Sequence, residues 1–362
     1  MEGFGSYGFP ESHAASFALL VYVSSWLKCY HPDVFAVALL NSQPMGFYQP
    51  AQIIIDAQKN GVEVLPVDVN YSCWDNILEV RKGNYCPIRL GFRQVKGLSE
   101  DDMKLLLSVR VTPFANIPQL CDAGISITAL EKLADADAFM SIGLDRRQAL
   151  WEVSALSDRP TGMYTGQQPE ANTEQGVQLP VMALSEHVIH DYSATALSLK
   201  AHPVSFLREK LFMLQVTPNG NLGQLTNGAM VKVAGLILVR QRPGTASGIV
   251  FITLEDETGI ANLVVFSKMF DRYRKEILQA KLLMVEGQVQ IEGVVIHIVV
   301  KRCSNVSGIL QKLSKTNFEN QQLVTPYRAN EKDTENYTTQ DKRVQRKLAI
   351  QGDIFHGGRN FR

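Results

Sequence analysis

The residues of this chain that could do chemistry begin with two acidic groups, Glu255-Asp256-Glu257 and the pair Asp135 and Asp137. Phosphoryl transfer by two metal ions needs carboxylate oxygens that converge on ions about 3.5–4 Å apart. Asp135 and Asp137 stand two apart in a helical pattern, so they leave on different faces. Residues 255–257, followed by Thr258-Gly259, have the composition of a turn between strands. Neither group is read as catalytic. No Walker A loop, nucleophile elbow, H-E-x-x-H or Rossmann glycine run occurs. The residues by themselves assign no catalytic residue, no metal site and no cofactor to the chain.

Cations and aromatics carry more. Arg240 and Arg242 flank a loop, Pro243-Gly244-Thr245-Ala246-Ser247, whose small residues would let a phosphate backbone approach. Phe251 in the next strand pattern and Phe266 at the end of another offer rings on which a base could stack, worth roughly 1–3 kcal/mol per base. Lys268, Arg272, Arg274 and Lys275 add charge along one helical stretch. Plain structural readings compete. Phe251 is equally a core residue, Phe266 and Phe270 read as core, and the helix cations read as a solvated face. A further turn, Asp122-Ala123-Gly124-Ile125-Ser126, fits a helix-hairpin-helix, in which Gly124 and a following helix N-terminus would face a phosphate.

These residues need elements to hold them. From Gly228 the apolar period is two, with strand patterns over residues 230–240, 248–254, 261–265, 282–290 and 294–300. One helical stretch, 267–278, lies between the third and fourth. Five short strands with a helix before the fourth is the layout of an OB-fold barrel, whose second and third strands and first and last hairpin loops take oligonucleotides. Gly235 and Gly287 lie inside strands, where glycine favours a bend or bulge. Upstream the pattern is helical. A long apolar helix over residues 13–30 reads as buried, Pro32 opens a second helix, and Gly61 closes a third after residues 49–60. Short strands fit 62–65 and 88–92, Ser99-Glu100-Asp101-Asp102 has the form of a capping box, and residues 113–155 form a further helical unit. Helical patterns recur near 192–199 and 204–212. Residues 158–174 read as a linker and 327–362 as a loosely ordered polar tail.

Composition sets the class. The chain has 362 residues, 45% hydrophobic and 20% charged, which excludes wholesale disorder. Lys+Arg and Asp+Glu are both 36, yet residues 1–227 carry 16 basic and 23 acidic groups and residues 228–362 carry 20 and 13. The halves are therefore −7 and +7, which marks separate modules and a basic C-terminal surface. Five scattered cysteines without C-x-x-C spacing read as reduced thiols. No secretory signal opens the sequence, and the most apolar stretch, 14–27, is shorter than the roughly 20 residues a membrane span needs. A cytoplasmic protein without membrane contact is expected.

The run Tyr7-Gly8-Phe9-Pro10-Glu11-Ser12-His13-Ala14-Ala15-Ser16-Phe17-Ala18 is similar to the fingers motif of bacterial C-family DNA polymerases. Residues 35–48, 133–139 and 143–151 resemble the error-prone branch of that family, residues 201–208 resemble its connector, and residues 253–262 resemble its barrel. The short run after the barrel, in place of the further domain that replicative subunits use to bind the clamp loader, points to the same branch. So does the ending Gly358-Arg359-Asn360-Phe361-Arg362, which looks like its short terminal motif.

The resemblance implies a multidomain α+β chain, mainly helical at first and then an all-β OB-fold barrel. Residues 1–110 would be the C-terminal part of the fingers, 111–157 a helix-hairpin-helix-like region, 158–227 linker and connector, 228–303 the OB-fold domain and 304–362 a polar tail. It implies the DNA-binding part of an error-prone polymerase, acting in translesion synthesis and DNA repair. The palm aspartates that hold Mg²⁺ in the family match nothing here, so the chain alone is expected to be inactive and to bind no cofactor, with Mg²⁺ needed by the intact enzyme. Its partners would be primer–template and single-stranded template, with a sliding clamp and a Y-family-like adaptor. Expected DNA contacts are Arg240, Arg242, Phe251, Lys268, Arg272 and Gly124, with Ser12 and His13 near the nucleotide or template. The rival reading is a non-catalytic module that binds single-stranded DNA or protein.

Overall fold

A computed structural model of the chain describes residues 11–44, 49–157, 179–244, 246, 248–293, 295–313 and 359–361, with the side chains of 11–13, 311–313 and 359–361 left aside. The proposed linker at 158–174, residues 314–358 of the tail, and Tyr7 to Pro10 of the fingers-like run lie outside the described residues. The chain divides into two compact units, one of residues 1–181 with 194–199 and one of residues 182–193 with 200–362.

The first unit is helical. It holds α1 (Glu11–Tyr30), α2 (Pro32–Asn41) and α3 (Pro50–Lys59), then strands β1 (Val64–Leu65), β2 (Ile77–Leu78) and β3 (Ile88–Arg89) in the order β1-β3-β2. Helices α4 (Glu100–Val109), α5 (Ile117–Asp122), α6 (Ile127–Asp135) and α7 (Arg146–Ser157) follow. Proline in the first turn starts α2, α3 and α5, where its missing N–H costs nothing. Ser99 caps α4 by accepting from the Asp101 amide, one residue short of the expected capping-box partner. Leu40, Ile88, Phe92, Met103, Leu106, Leu120, Leu130, Leu133 and Phe139 form one core.

Helix α1 departs from expectation. Read as buried, it instead exposes Phe17, Leu19, Leu20, Val21, Tyr22, Val23 and Trp26. An apolar period shows that a helix wants cover on its faces, but it does not identify what covers them. Within this unit α1 is held at its far end, where Lys28 pairs with Asp56 of α3.

The second unit is built on the barrel. Most of α8 (Leu184–Thr195), a 3₁₀ turn (Pro203–Leu207) and α9 (Arg208–Met213) precede it. The helix expected near 192–199 thus begins earlier and stops at Thr195, because Ala196 takes a left-handed conformation at φ 63°. Strands β4 (Met230–Gln241), β5 (Val250–Asp256), β6 (Gly259–Val265), β7 (Leu282–Glu292) and β8 (Val295–Asn305) pair β5-β6-β8-β7-β4, and a β4–β5 pairing closes the barrel. Only β6–β8 is parallel among these five. The expected single helix between β6 and β7 is two short ones, α10 (Ser267–Arg272) and α11 (Arg274–Gln279), joined at Tyr273. Val233, Ile252, Leu254, Leu263, Val265, Val285 and Ile298 fill the interior.

Both strand glycines sit where another backbone comes close. Gly287 stands where the β7–β8 register shifts, and a Cβ there would lie 2.5 Å from the Val299 carbonyl oxygen. Gly235 is in regular pairing, and its role is close approach, since a Cβ there would lie 2.6 Å from the Glu255 carbonyl oxygen. The segment expected to be a polar tail begins with ordered elements. After β8, α12 (Ser307–Leu313) buries Leu310 with Val204, Leu207, Leu211 and Leu282, and β9 (Arg359–Phe361) pairs in parallel with β4.

Candidate nucleic-acid interface

The register of β4 decides which of its side chains face outward. Ile237 pairs with Leu254 but Val239 pairs with Thr253, so one extra residue, Leu238, is accommodated by a bulge. A one-residue slip exchanges the two faces of a strand. Beyond the bulge, Arg240 stands opposite the inward Ile252 and Gln241 opposite the outward Phe251.

Arg240 therefore leaves the surface that the sequence reading gave it. It is 5% exposed and its Nη2 donates to the Ala280 carbonyl at the end of α11, while burial pulls its pKa below the usual guanidinium value. Its role in this structure is to tie β4 to the turn before β7. Its place beside the loop suggested a phosphate contact, but the bulge at Leu238 turns its side chain inward.

Arg242, two residues on, is exposed and lies over the Phe270 ring at 5.1 Å. This is cation–π distance, which holds the guanidinium at the loop mouth. Phe251 is on the outer face of β5, not in the core. Its cross-strand neighbours are Gln241 on β4 and Val264 on β6. The next outward pair, Thr253 and Asn262, is joined through Oγ1 and Oδ1 at 3.3 Å. Gln241, Thr253, Asn262 and Val264 went unnoticed in the sequence, because their outward parity follows from the bulge and the pairing register. Phe266, expected in the core, is 48% exposed at the start of α10, whereas Phe270 is buried. It ends β6 one step past the inward Val265, and so it turns out. Lys268 and Arg272 are exposed on α10, with Arg272 over Tyr273 at 5.5 Å.

The carboxylates of residues 255–257 are committed to structure. Asp256 Oδ1 accepts from the Thr258 amide and hydroxyl and from the Gly259 amide at 2.8, 2.6 and 3.0 Å. Its Oδ2 accepts from the Asn219 amide and Arg208 Nη2, both at 2.9 Å. Arg208 also donates to both Glu257 oxygens at 2.5 and 2.8 Å, and this bonding raises its pKa. The run is a clamped β5–β6 turn. Its oxygens do not suit a catalytic Mg²⁺, and no cluster of three metal-ligating side chains occurs among the described residues.

In the first unit Gly124 is exposed at the turn between α5 and α6, with φ at +91°, a value that suits glycine. Its amide donates to Cys121 O at 2.9 Å, and Ser126 caps α6 by accepting from the Ala129 amide at 3.2 Å. Ser126 Oγ also donates to Asp102 at 3.4 Å, which places a carboxylate beside that helix start. A second turn of this kind, around Gly97, leads into α4, and Lys132 Nζ donates to the Gly97 carbonyl. Ser12 and His13 stand in the first turn of α1 and their side chains lie outside the described residues.

Comparison with known proteins fits both units. A helix-hairpin-helix motif family matches residues 61–149, and an OB-fold nucleic-acid-binding domain family matches residues 231–306. The first range is wider than residues 111–157 and takes in the Gly97 turn as well as the Gly124 turn. An error-prone DNA polymerase of Brucella melitensis is 50% identical over 331 residues, 90% of this chain and 30% of that protein. Error-prone DNA polymerase 1 of Rhizobium meliloti is 47% identical over 339 residues, 87% and 30% respectively. This chain is homologous to a C-terminal portion of the error-prone DNA polymerases. It spans about 30% of the length of the curated relatives it matches. No helix among the described residues is long and apolar enough to cross a membrane.

Proposed function

We propose that this chain is the DNA-holding portion of an error-prone polymerase that acts in translesion synthesis and repair in the cytoplasm. The barrel takes single-stranded template on the β4–β5–β6 outer face, and the helix-hairpin-helix region holds primer–template. Template-directed nucleotidyl transfer with Mg²⁺ belongs to residues outside these 362. A sliding clamp and a Y-family-like adaptor are partners of the whole polymerase, with no segment assigned to them here.

The observation that carries the reading is the placement of exposed Phe251 beside a loop mouth where Arg242 is held over Phe270. A ring for a base and a cation for a phosphate are what a sequence-tolerant single-strand site needs. The test is fluorescence anisotropy with a labelled oligothymidylate across a salt series. Phe251→Ala should weaken binding about tenfold, within the range for one lost stacking contact. Arg242→Ala should weaken it by a similar factor and flatten the salt slope by about 0.7, one phosphate contact on a single strand. Chelation by EDTA should leave binding unchanged. Wild-type affinity in both variants would sink the site.

The rival, a barrel that binds protein through the same face, predicts no steep salt dependence for oligonucleotides. It has no observation of its own in its favour.

A further inference from the structure

The outward side chains of the barrel sheet fall into rows that cross the strands. Gln241, Phe251, Val264 and Val299 are level with one another on β4, β5, β6 and β8. One step along the strands, the next outward row is Thr253 on β5, Asn262 on β6, His297 on β8 and Gln290 on β7. The two rows differ in kind. Past Gln241 the first is an apolar strip with the Phe251 ring at its edge, whereas the second is polar. Asn262 is the diagonal neighbour of Phe251, a separation of about 7–8 Å in an antiparallel pair.

The cations lie beyond the first row, on the side away from the second. Val250 at the start of β5 pairs with Val265 at the end of β6, so the loop after β4 and the start of α10 meet at this end. A Cβ at Gly248 would lie 3.4 Å from Arg242 Nη2 and 3.3 Å from Ser267 Oγ, and Lys268 stands exposed next to Ser267. Along the strands the face therefore presents cations, then an aromatic ring, then a polar row. A nucleotide with its phosphate at Arg242 and its base over Phe251 would turn the base edge to Asn262. The polar row has no lysine or arginine, and so offers a phosphate none of the charge on which phosphate binding rests. It suits the neutral edge of a base instead.

Asn262 is set to donate. The Thr253 hydroxyl donates to Asn262 Oδ1 at 3.3 Å, which leaves the two N–H groups of Nδ2 for another acceptor. No protein acceptor for Nδ2 stands among the described residues. Pyrimidines differ at the edge such a donor meets: thymine has the O4 carbonyl where cytosine has the N4 amino group.

We propose that Asn262, held by Thr253, reads the edge of the base stacked on Phe251 and favours a base with a carbonyl oxygen there over one with an amino group. Stacking and charge by themselves leave a single-strand site tolerant of sequence. This contact gives it a preference. The proposal rests on the single-strand reading of the barrel face, and the experiment separates the two.

The 362-residue chain is titrated by fluorescence anisotropy with labelled oligothymidylate, oligodeoxycytidylate and oligodeoxyuridylate of one length. The three bases share a ring size, and deoxyuridine keeps the O4 carbonyl but lacks the thymine methyl. Thymidylate and deoxyuridylate should bind about three- to tenfold more tightly than deoxycytidylate, the size of one neutral hydrogen bond. The ratio should be the same at about 50 and 200 mM salt, because the contact carries no charge. Asn262→Ala should bring the ratio to about one. Asn262→Asp, which puts an acceptor in place of the donor, should favour deoxycytidylate while its added charge weakens all three. Thr253→Val keeps the shape of the side chain but loses the hydroxyl. It should lower the ratio with Tm of the barrel unchanged, as expected of a positioning residue.

Equal affinities of the wild-type chain for the three oligonucleotides would overturn the proposal and leave the single-strand site standing. So would a ratio that survives Asn262→Ala, or a thymidylate preference that deoxyuridylate does not share, since that would lie in the methyl group. A chain that binds none of the three would overturn the single-strand reading and the base preference with it.

Discussion

At the scale of single residues, two arginines two positions apart have opposite roles. Arg240 is buried with its head on a carbonyl; Arg242 is exposed over a ring. Removing Arg240 deletes a charge-assisted hydrogen bond and leaves the Ala280 carbonyl without this donor, an effect of about 2–3 kcal/mol. Arg240→Ala should therefore lower Tm of the barrel by several degrees, while Arg242→Ala leaves Tm within a degree and acts on DNA affinity alone. Thermal melts of both variants decide, and equal Tm values would refute the assignment. Cys303 gives a second residue-level expectation. Burial, with Glu276 nearby, pushes its thiol up to about 12. The unfolded chain gives up this proton at a lower pH than the folded one, so the stability it contributes is complete below about pH 9 and is lost as pH rises towards 12. The buried Tyr192 hydroxyl, also raised, acts in the same direction. Urea melts from pH 8 to 11 should show falling stability, with a shallower fall in Cys303→Ala. In the native chain a thiol reagent should modify exposed Cys29 well before Cys303.

Elements explain what was and was not legible in the sequence. The five strands, the intervening helical stretch and the helix starts at Pro32 and Ser99 stood out because period, proline and capping are local signals. The bulge at Leu238 is not local. It is defined by which β4 residue faces which β5 residue, and it alone moves Arg240 inward and Gln241 outward. Phe251 was left between core and surface for the same reason: a strand pattern gives alternation, and only pairing says which parity is inside. β9 was unreadable because three residues carry no period and their partner is more than a hundred positions away. Gly235 makes a testable case of element packing. A methyl group there would meet the Glu255 main chain at 2.6 Å, and backbone cannot step aside as a flexible side chain can. Gly235→Ala should cost at least 1–3 kcal/mol, the usual range for overpacking. Gly244→Ala, with nothing within 4 Å of the new methyl, should cost nothing measurable by the same denaturant titration.

The whole molecule is two units of opposite charge, and the balance between them bears on the binding of a polyanion. The chain as a whole has a formal charge of zero, but residues 182–362 hold 23 basic and 16 acidic groups, a net +7. They contain the whole of the second compact unit, with all five barrel strands and both of its apolar clusters, so this fragment should fold by itself. Long-range charge acts on polyanion binding only within about a Debye length, near 14 Å at 50 mM salt and 5–6 Å at 300 mM. Freed of the acidic remainder, residues 182–362 should bind a short oligothymidylate a few times more tightly than the full chain at 50 mM salt and equally at 300 mM. Anisotropy titrations of the two proteins at both salt concentrations test this. Convergence at high salt means that the first unit influences the barrel site through charge alone. A full chain that stays tighter at every salt concentration would mean that the first unit contributes direct contacts to the same strand, and the single-strand site would then have to be redrawn to include it.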